Sequence, residues 1–252
     1  MAVARGTAEG ERRGSRVRLP RSERGPRVAA ATRPRMAGGA KPEPECPPDK
    51  MALLREVHRD IADFRPRGFG PPVTGAAVAS RIFLLGQAPG PHEARFGRPF
   101  AWTAGKTLFR WLERATGADE ETVRSRVYIS AVVRCFPGKT TSGGDRVPSA
   151  EECALWRGFV AREIAILRPR VVLPVGRLAI QEVLGHTEPI AAVVGRTMRT
   201  KFHGVEVDVI PLPHPSGAST WFKVEPGRTL LEEALTLVAD HPEVQRAFRR
   251  AR

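Results

Sequence analysis

Apolar residues recur at three- and four-residue spacing in MALLREVHRDIADF, Met51 to Phe64, where Leu53, Leu54, Val57, Ile61 and Phe64 share one face. That period predicts an amphipathic helix. A Pro/Gly connector, RPRGFGPPVTG at 65–75, follows, and the pattern then changes. The run from Arg81 to Leu85 is short, apolar and stopped by Gly86, as expected of a strand buried on both faces. VYISAVV at 127–133, RVVLP at 170–174, and two runs at 198–203 and 205–212 around a turn at Gly204 predict further strands. Helical periods lie between them: 104–116 ended by Gly117, a short helix to Arg126 capped by Asp119, and 177–184. Ser149 with Glu152 three residues on forms a capping box that opens a long helix to Leu167. A final helix starts at Glu225-Pro226 and runs to Ala239.

Strands alternating with helices predict an α/β fold, a three-layer α/β/α sandwich with a short, mainly parallel central sheet, in one domain spanning 49–245. Such sheets bind ligands off the carboxyl ends of their strands. Three polar stretches fall at such ends: the loop from Gly86 to Lys106, the Ala131–Cys135 corner, and His214 to Ser219. The first carries Gln87, His92, Glu93, Arg98 and Phe100, with Glu93 and Arg98 read as a structural ion pair.

Outside this domain the pattern fades. Residues 1–48 are Arg, Gly, Ala and Pro without periodic apolar positions, and a disordered basic tail is expected. A DNA-contacting arm, an organellar transit peptide, or an extension before a true start at Met36 or Met51 all fit that composition. Residues 246–252 read as a basic C-terminal tail. The net charge is +14, and residues 1–41 supply +8 of it, with 11 Lys or Arg against 3 Glu. The remaining +6 still favours a polyanionic partner, nucleic acid first. No run approaches the roughly 18 apolar residues of a membrane span. No apolar segment of a secretory signal is visible, and three widely spaced cysteines do not make a disulfide framework. A monomer in the bacterial cytoplasm, associated with the nucleoid and not with a membrane, is expected.

Ala104-Gly105-Lys106-Thr107 imitates the end of a phosphate-binding P-loop, but that pattern needs Gly at position 100, where this chain has Phe100. Nucleoside triphosphate binding is therefore not expected. A different motif set fits in order. Gly86-Gln87-Ala88-Pro89-Gly90, then Glu93, Gly97-Arg98-Pro99-Phe100 and Ala104-Gly105-Lys106, resembles the first motif of the uracil-DNA glycosylase superfamily in its family 4, or iron–sulphur, branch: GEAPG, an acidic pair, GRPF and AG[KR]. Val127 to Cys135 resembles that branch's second strand, ending TNVVKC, and His214-Pro215-Ser216 its last motif, HPS. Together these cover the chain from about Met51 to Leu237.

The resemblance implies a monofunctional DNA repair glycosylase that extrudes uracil or a related deaminated base and hydrolyses its N-glycosidic bond. It implies His214 as the donor to the anionic base, Phe100 as the ring that stacks on it, and Ala88, Pro89, Gly90, Ala131 and Ser216 as the pocket wall. Lys106, Ser219 and Trp221 would contact DNA, Trp221 as a wedge. The chain departs from the motifs in three places. Gln87 stands where the family has Glu, so it would orient water without taking its proton. Ala131 stands where an Asn reads the base edge. Of four cluster cysteines only Cys135 and Cys153 are matched, with Phe64-Arg65-Pro66-Arg67 at the first pair and Cys46 far upstream. No cofactor is expected, since two thiolates do not hold a 4Fe-4S cluster. A module of this fold that binds damaged or single-stranded DNA without cutting it is the alternative.

Overall fold

The computed structural model describes residues 49–217 and 219–249. The expected basic tail at 1–48 lies outside them. The chain builds a five-stranded sheet in the order β2-β1-β3-β5-β4, from β1 (Ile82–Gly86), β2 (Tyr128–Ala131), β3 (Val171–Pro174), β4 (Met198–Phe202) and β5 (Val205–Val209). All pairs are parallel except β4 with β5, the hairpin turning at Gly204, which leaves β4 on the edge. Its alternating exposed positions suit that place, whereas β1, β2 and β3 are buried throughout.

The side-chain alternation of the strands divides the core in two. Phe83, Leu85, Tyr128 and Val172 face one layer, packed under α1 (Lys50–Asp63), α5 (Ala150–Leu167) and α6 (Arg177–Leu184). Ile82, Leu84, Ile129, Val171 and Leu173 face the other, under α3 (Thr103–Thr116), α4 (Glu120–Arg126), α8 (Gly227–Asp240) and α9 (Pro242–Phe248). The three-layer α/β/α sandwich is thus present. The caps read from sequence form as well. Asp119 accepts from the Thr122 amide at 2.8 Å, and the Ser149/Glu152 box closes reciprocally.

Two short helices, α2 (Glu93–Phe96) and α7 (Ile190–Val193), escape the periodicity because one turn has no period. Two expected boundaries also move. The chain does not leave the domain at 245, since α9 runs to Phe248 and packs Ala247 and Phe248 on the second core layer. The last predicted strand stops at Val209, although Leu212 still bridges to Val175 beyond the break.

One feature of the first layer is charged. Arg134 and Glu163 are 1% and 0% exposed and joined at 2.6 Å, and Ser130 on β2 donates to the same carboxylate oxygen at 2.9 Å. The Arg134 carbonyl accepts from Val73, so the corner after β2 is tied to α5 and to the connector that precedes β1.

Candidate active site

β1, β2 and β3 end together, and a cavity of about 360 Å³ opens beyond them. Its wall includes Gln87, Ala88, Pro89 and Gly90 after β1, Ala131 at the end of β2, and His214 and Ser216 beyond β5. All three stretches singled out in the sequence meet here. Phe100, Trp102, Thr103 and the loop residues Pro137, Asp145, Arg146 and Val147 complete it.

His214 reaches the cavity because the backbone past β5 stays in register with β3. Leu212 donates to the Pro174 carbonyl at 2.9 Å, and Gly176 donates to the Leu212 carbonyl at 2.9 Å. Gly176, at φ +86°, then faces the imidazole directly; a Cβ there would stand 2.9 Å from His214 Cδ2. The Ser216 amide donates to His214 Nδ1 at 3.3 Å. With Nδ1 as acceptor, the proton of a neutral ring sits on Nε2. Burial pushes the His214 pKa below its ordinary value, with the negative charge of Asp145 opposing. Both features favour a neutral imidazole that carries its N–H on Nε2.

Phe100 is fixed from three directions. Its ring lies on Gly86, where a Cβ would come within 2.7 Å of Cζ, and a Cβ on Gly105 would fall inside its carbonyl. Arg124 holds that same carbonyl at 2.9 Å and the Pro99 carbonyl at 3.0 Å, while its guanidinium stacks 4.2 Å above Phe109. These contacts sustain a backbone φ of +55°, a left-handed conformation that disfavours a side chain of this size. The glycines of the two motifs thus have one physical role: they let Phe100 enter. Gly105→Ala is expected to displace the Phe100 carbonyl, lowering stability by roughly 1–3 kcal/mol, visible as a lower thermal midpoint together with a raised KM for substrate.

Glu93 does not pair with Arg98. Its carboxylate is buried and accepts from the Gly90 amide at 3.0 Å, with the Phe100 and Ala101 amides also favouring its charged form, so it shapes the loop from within. Burial raises its pKa, and the three amides oppose that shift. Arg98 turns outward to Glu121 at 2.8 Å. The loop at 137–147 is secured by Arg146, which donates to Glu152 at 2.6 Å and to the Pro137 carbonyl at 2.6 Å. Sequence reasoning passed over Arg124, Arg146 and Asp145. Of the two carboxylates on the cavity wall, Glu93 is held by backbone amides, whereas the Asp145 side chain makes no hydrogen bond among the described residues, and nothing in the sequence around it marks it.

The expected DNA contacts lie in different settings. Lys106 is exposed on the first turn of α3, and Ser219 donates its amide to the Ser216 carbonyl at 3.0 Å. Trp221 is half-buried against the second core layer, its ring against Gly227. The exposed indole beside the cavity is that of Trp102.

A four-iron cluster does not fit the described residues. Cys135 and Cys153 are both buried. Phe64 fills the place of the first cysteine pair, its ring edge-on to Trp156 at 5.0 Å and 5.4 Å from Phe159. Burial pushes the Cys135 thiol up to about 11, against the nearby charge of Arg65, and raises that of Cys153 too, as for two buried thiols packed in the core. Among the described residues no three His, Cys, Asp or Glu side chains are grouped to hold a metal ion. Cys46 lies outside them.

The protein is thus a mainly parallel α/β sandwich with a crevice at its strand ends, walled by Phe100 and His214 among others. Residues 72–236 match the model of the uracil DNA glycosylase superfamily, and the chain belongs to that superfamily. It is 29% identical over 143 residues to the type-4 uracil-DNA glycosylase of Sulfurisphaera tokodaii, covering 55% of this chain and 61% of that protein. It is 33% identical over 144 residues to the type-4 enzyme of Thermotoga maritima, covering 54% and 65%. A type-5 uracil-DNA glycosylase of Pyrobaculum aerophilum is 29% identical over 139 residues, covering 51% and 56%. In each case the chain spans less than two thirds of the relative's length.

Proposed function

We propose that this protein is a monofunctional DNA glycosylase that hydrolyses the N-glycosidic bond of uracil, or of a related deaminated base, turned out of the DNA stack into the cavity. The observation that carries this reading is the placement of His214 on the cavity wall with its Nδ1 accepting from the Ser216 amide, which leaves Nε2 to carry the N–H. Breaking the bond from N1 to C1′ leaves the electron pair on the base, spread over N1 and O2. The donor best placed to stabilise it is a preorganised neutral N–H, as His214 Nε2 provides. Phe100 would stack on the base, and Ala88 and Pro89 would enclose it. Gln87 would orient the water that attacks C1′. An amide is no base near neutral pH, so the water's proton needs another acceptor. Asp145, on the same wall, is the group to receive it.

Asp145→Asn is expected to lower kcat by about 10²-fold with KM changed little, in single-turnover assays on a uracil oligonucleotide. Retention of the full wild-type rate would remove Asp145 from the mechanism.

Gln87 and Ala131, where the family pattern has Glu and Asn, favour the second reading, a module that binds damaged or single-stranded DNA without cutting it. An oligonucleotide panel carrying uracil, hypoxanthine, xanthine or a 5-substituted uracil separates the two. Any abasic product decides for the enzyme, and the panel also reads the base preference that Ala131 leaves open. One chain's own elements close the cavity, which supports action as a monomer. No helix among the described residues is long and apolar enough to cross a membrane.

A further inference from the structure

Three aromatic side chains stand together at the cavity rim and take no part in the chemistry proposed above. His92 precedes α2, Phe96 ends it, and Trp102 precedes α3. The Trp102 ring lies 4.9 Å from that of His92 and 5.8 Å from that of Phe96, stacked on the latter at 25°. His92 and Trp102 line the cavity, and Phe96 carries the row outward onto the surface. Phe96 is 50% exposed and Trp102 45%, the two large aromatic rings most open to solvent among the described residues. Folding alone does not require this, because neither ring enters a core layer. Arg95 precedes Phe96 in α2, and Lys106 and Arg110 follow Trp102 on α3, all three exposed.

We propose that His92, Phe96 and Trp102 form a stacking shelf for an unpaired base that neighbours the extruded nucleotide, so that the protein engages single-stranded or frayed DNA. This rests on the reading of the cavity as a base pocket. The row continues from the pocket at stacking distance, and its length suits a strand leaving the cavity rather than a second extruded base. Every base offers a π-face, so the shelf is indifferent to sequence. The exposed Lys and Arg of α2 and α3 provide for the backbone, as in single-strand binders. A paired neighbour keeps its face inside the duplex and cannot use the shelf.

The test uses the full chain and a labelled single strand of thymidines without uracil, so that binding is read apart from excision. Trp102→Ala should weaken binding to this strand roughly tenfold, and Phe96→Ala less. Binding to a blunt duplex should change less than about twofold. Trp102→Phe, which keeps a ring, should restore most of the affinity, and the thermal midpoints should stay near wild type. If Trp102→Ala binds the single strand as tightly as wild type, or loses single strand and duplex equally, the shelf is wrong. If Trp102→Ala does not fold, Trp102→Phe against Trp102→Leu decides, with equal affinity overturning the proposal. A wild-type protein that excises no base but shows the Trp102 effect would overturn the glycosylase reading and leave the shelf standing.

Discussion

His214→Ala is expected to reduce uracil excision by about 10²–10³-fold in kcat, the usual loss for one donor to a developing anion. The KM should change far less, because the N–H is worth most once charge has moved onto the base. The fold should survive, since the ring rests on Gly176 at the edge of the cavity and not in either core layer. His214→Asn, which also presents an N–H, should recover part of the rate. The pH profile carries a second expectation. The folded-state pKa of His214 is lowered from about 6.5, so the neutral ring contributes stability above pH 6.5 that is lost as pH falls through the lower folded value. Protonation would place an N–H on Nδ1, facing the Ser216 amide that now donates to it. Activity should therefore show no loss on account of His214 as pH falls through 6.5, and should drop only further into acid. A rate that fell with a midpoint at or above 6.5 in wild type, and lost that midpoint in His214→Ala, would contradict the neutral-donor assignment.

Glu163→Ala is expected to cost about 3–5 kcal/mol of stability, because it leaves Arg134 charged and buried without its partner. For a domain of this size that is a fall of roughly 10 °C in thermal midpoint. The loss has a functional side, since Ser130 and Arg134 on the same carboxylate fix the corner that carries Ala131 into the cavity. The double variant Arg134→Met/Glu163→Leu removes both charges and should regain much of the loss. A double variant no more stable than Glu163→Ala alone would show that the carboxylate acts through something other than its pairing with Arg134.

The sheet was legible because β1 and β3 are continuous apolar runs and β2 is interrupted only by Ser130, a pattern typical of strands covered on both faces. The site was legible where chemistry and punctuation coincide: Gly86 to Gly90 after β1, and His214-Pro215-Ser216 after the last strand. What escaped were contacts made across the fold. Arg124 sits in an amphipathic helix full of charges, and only the three-dimensional approach of the Pro99 and Phe100 carbonyls marks it as a clamp. Glu163 did carry a signal, a carboxylate on the same helical face as Trp156, Val160, Ile164 and Leu167, where a buried partner is needed. Glu93 beside Arg98 invited an ion pair, but Glu93 is buried and accepts from the Gly90 amide while Arg98 reaches Glu121 in solvent. The aromatic row has no periodicity, because a one-turn helix and a cap residue bring it together.

The central claim, that this cavity cuts uracil from DNA, is tested most directly by mass-spectrometric detection of the free base. A uracil-containing single strand and its duplex are incubated with wild type and with His214→Ala, beside strands with thymine or cytosine at that position. Free uracil and an equal amount of abasic strand are expected from wild type, a trace from His214→Ala, and no thymine released. Wild-type protein that binds these strands yet releases no base from any of them would contradict it.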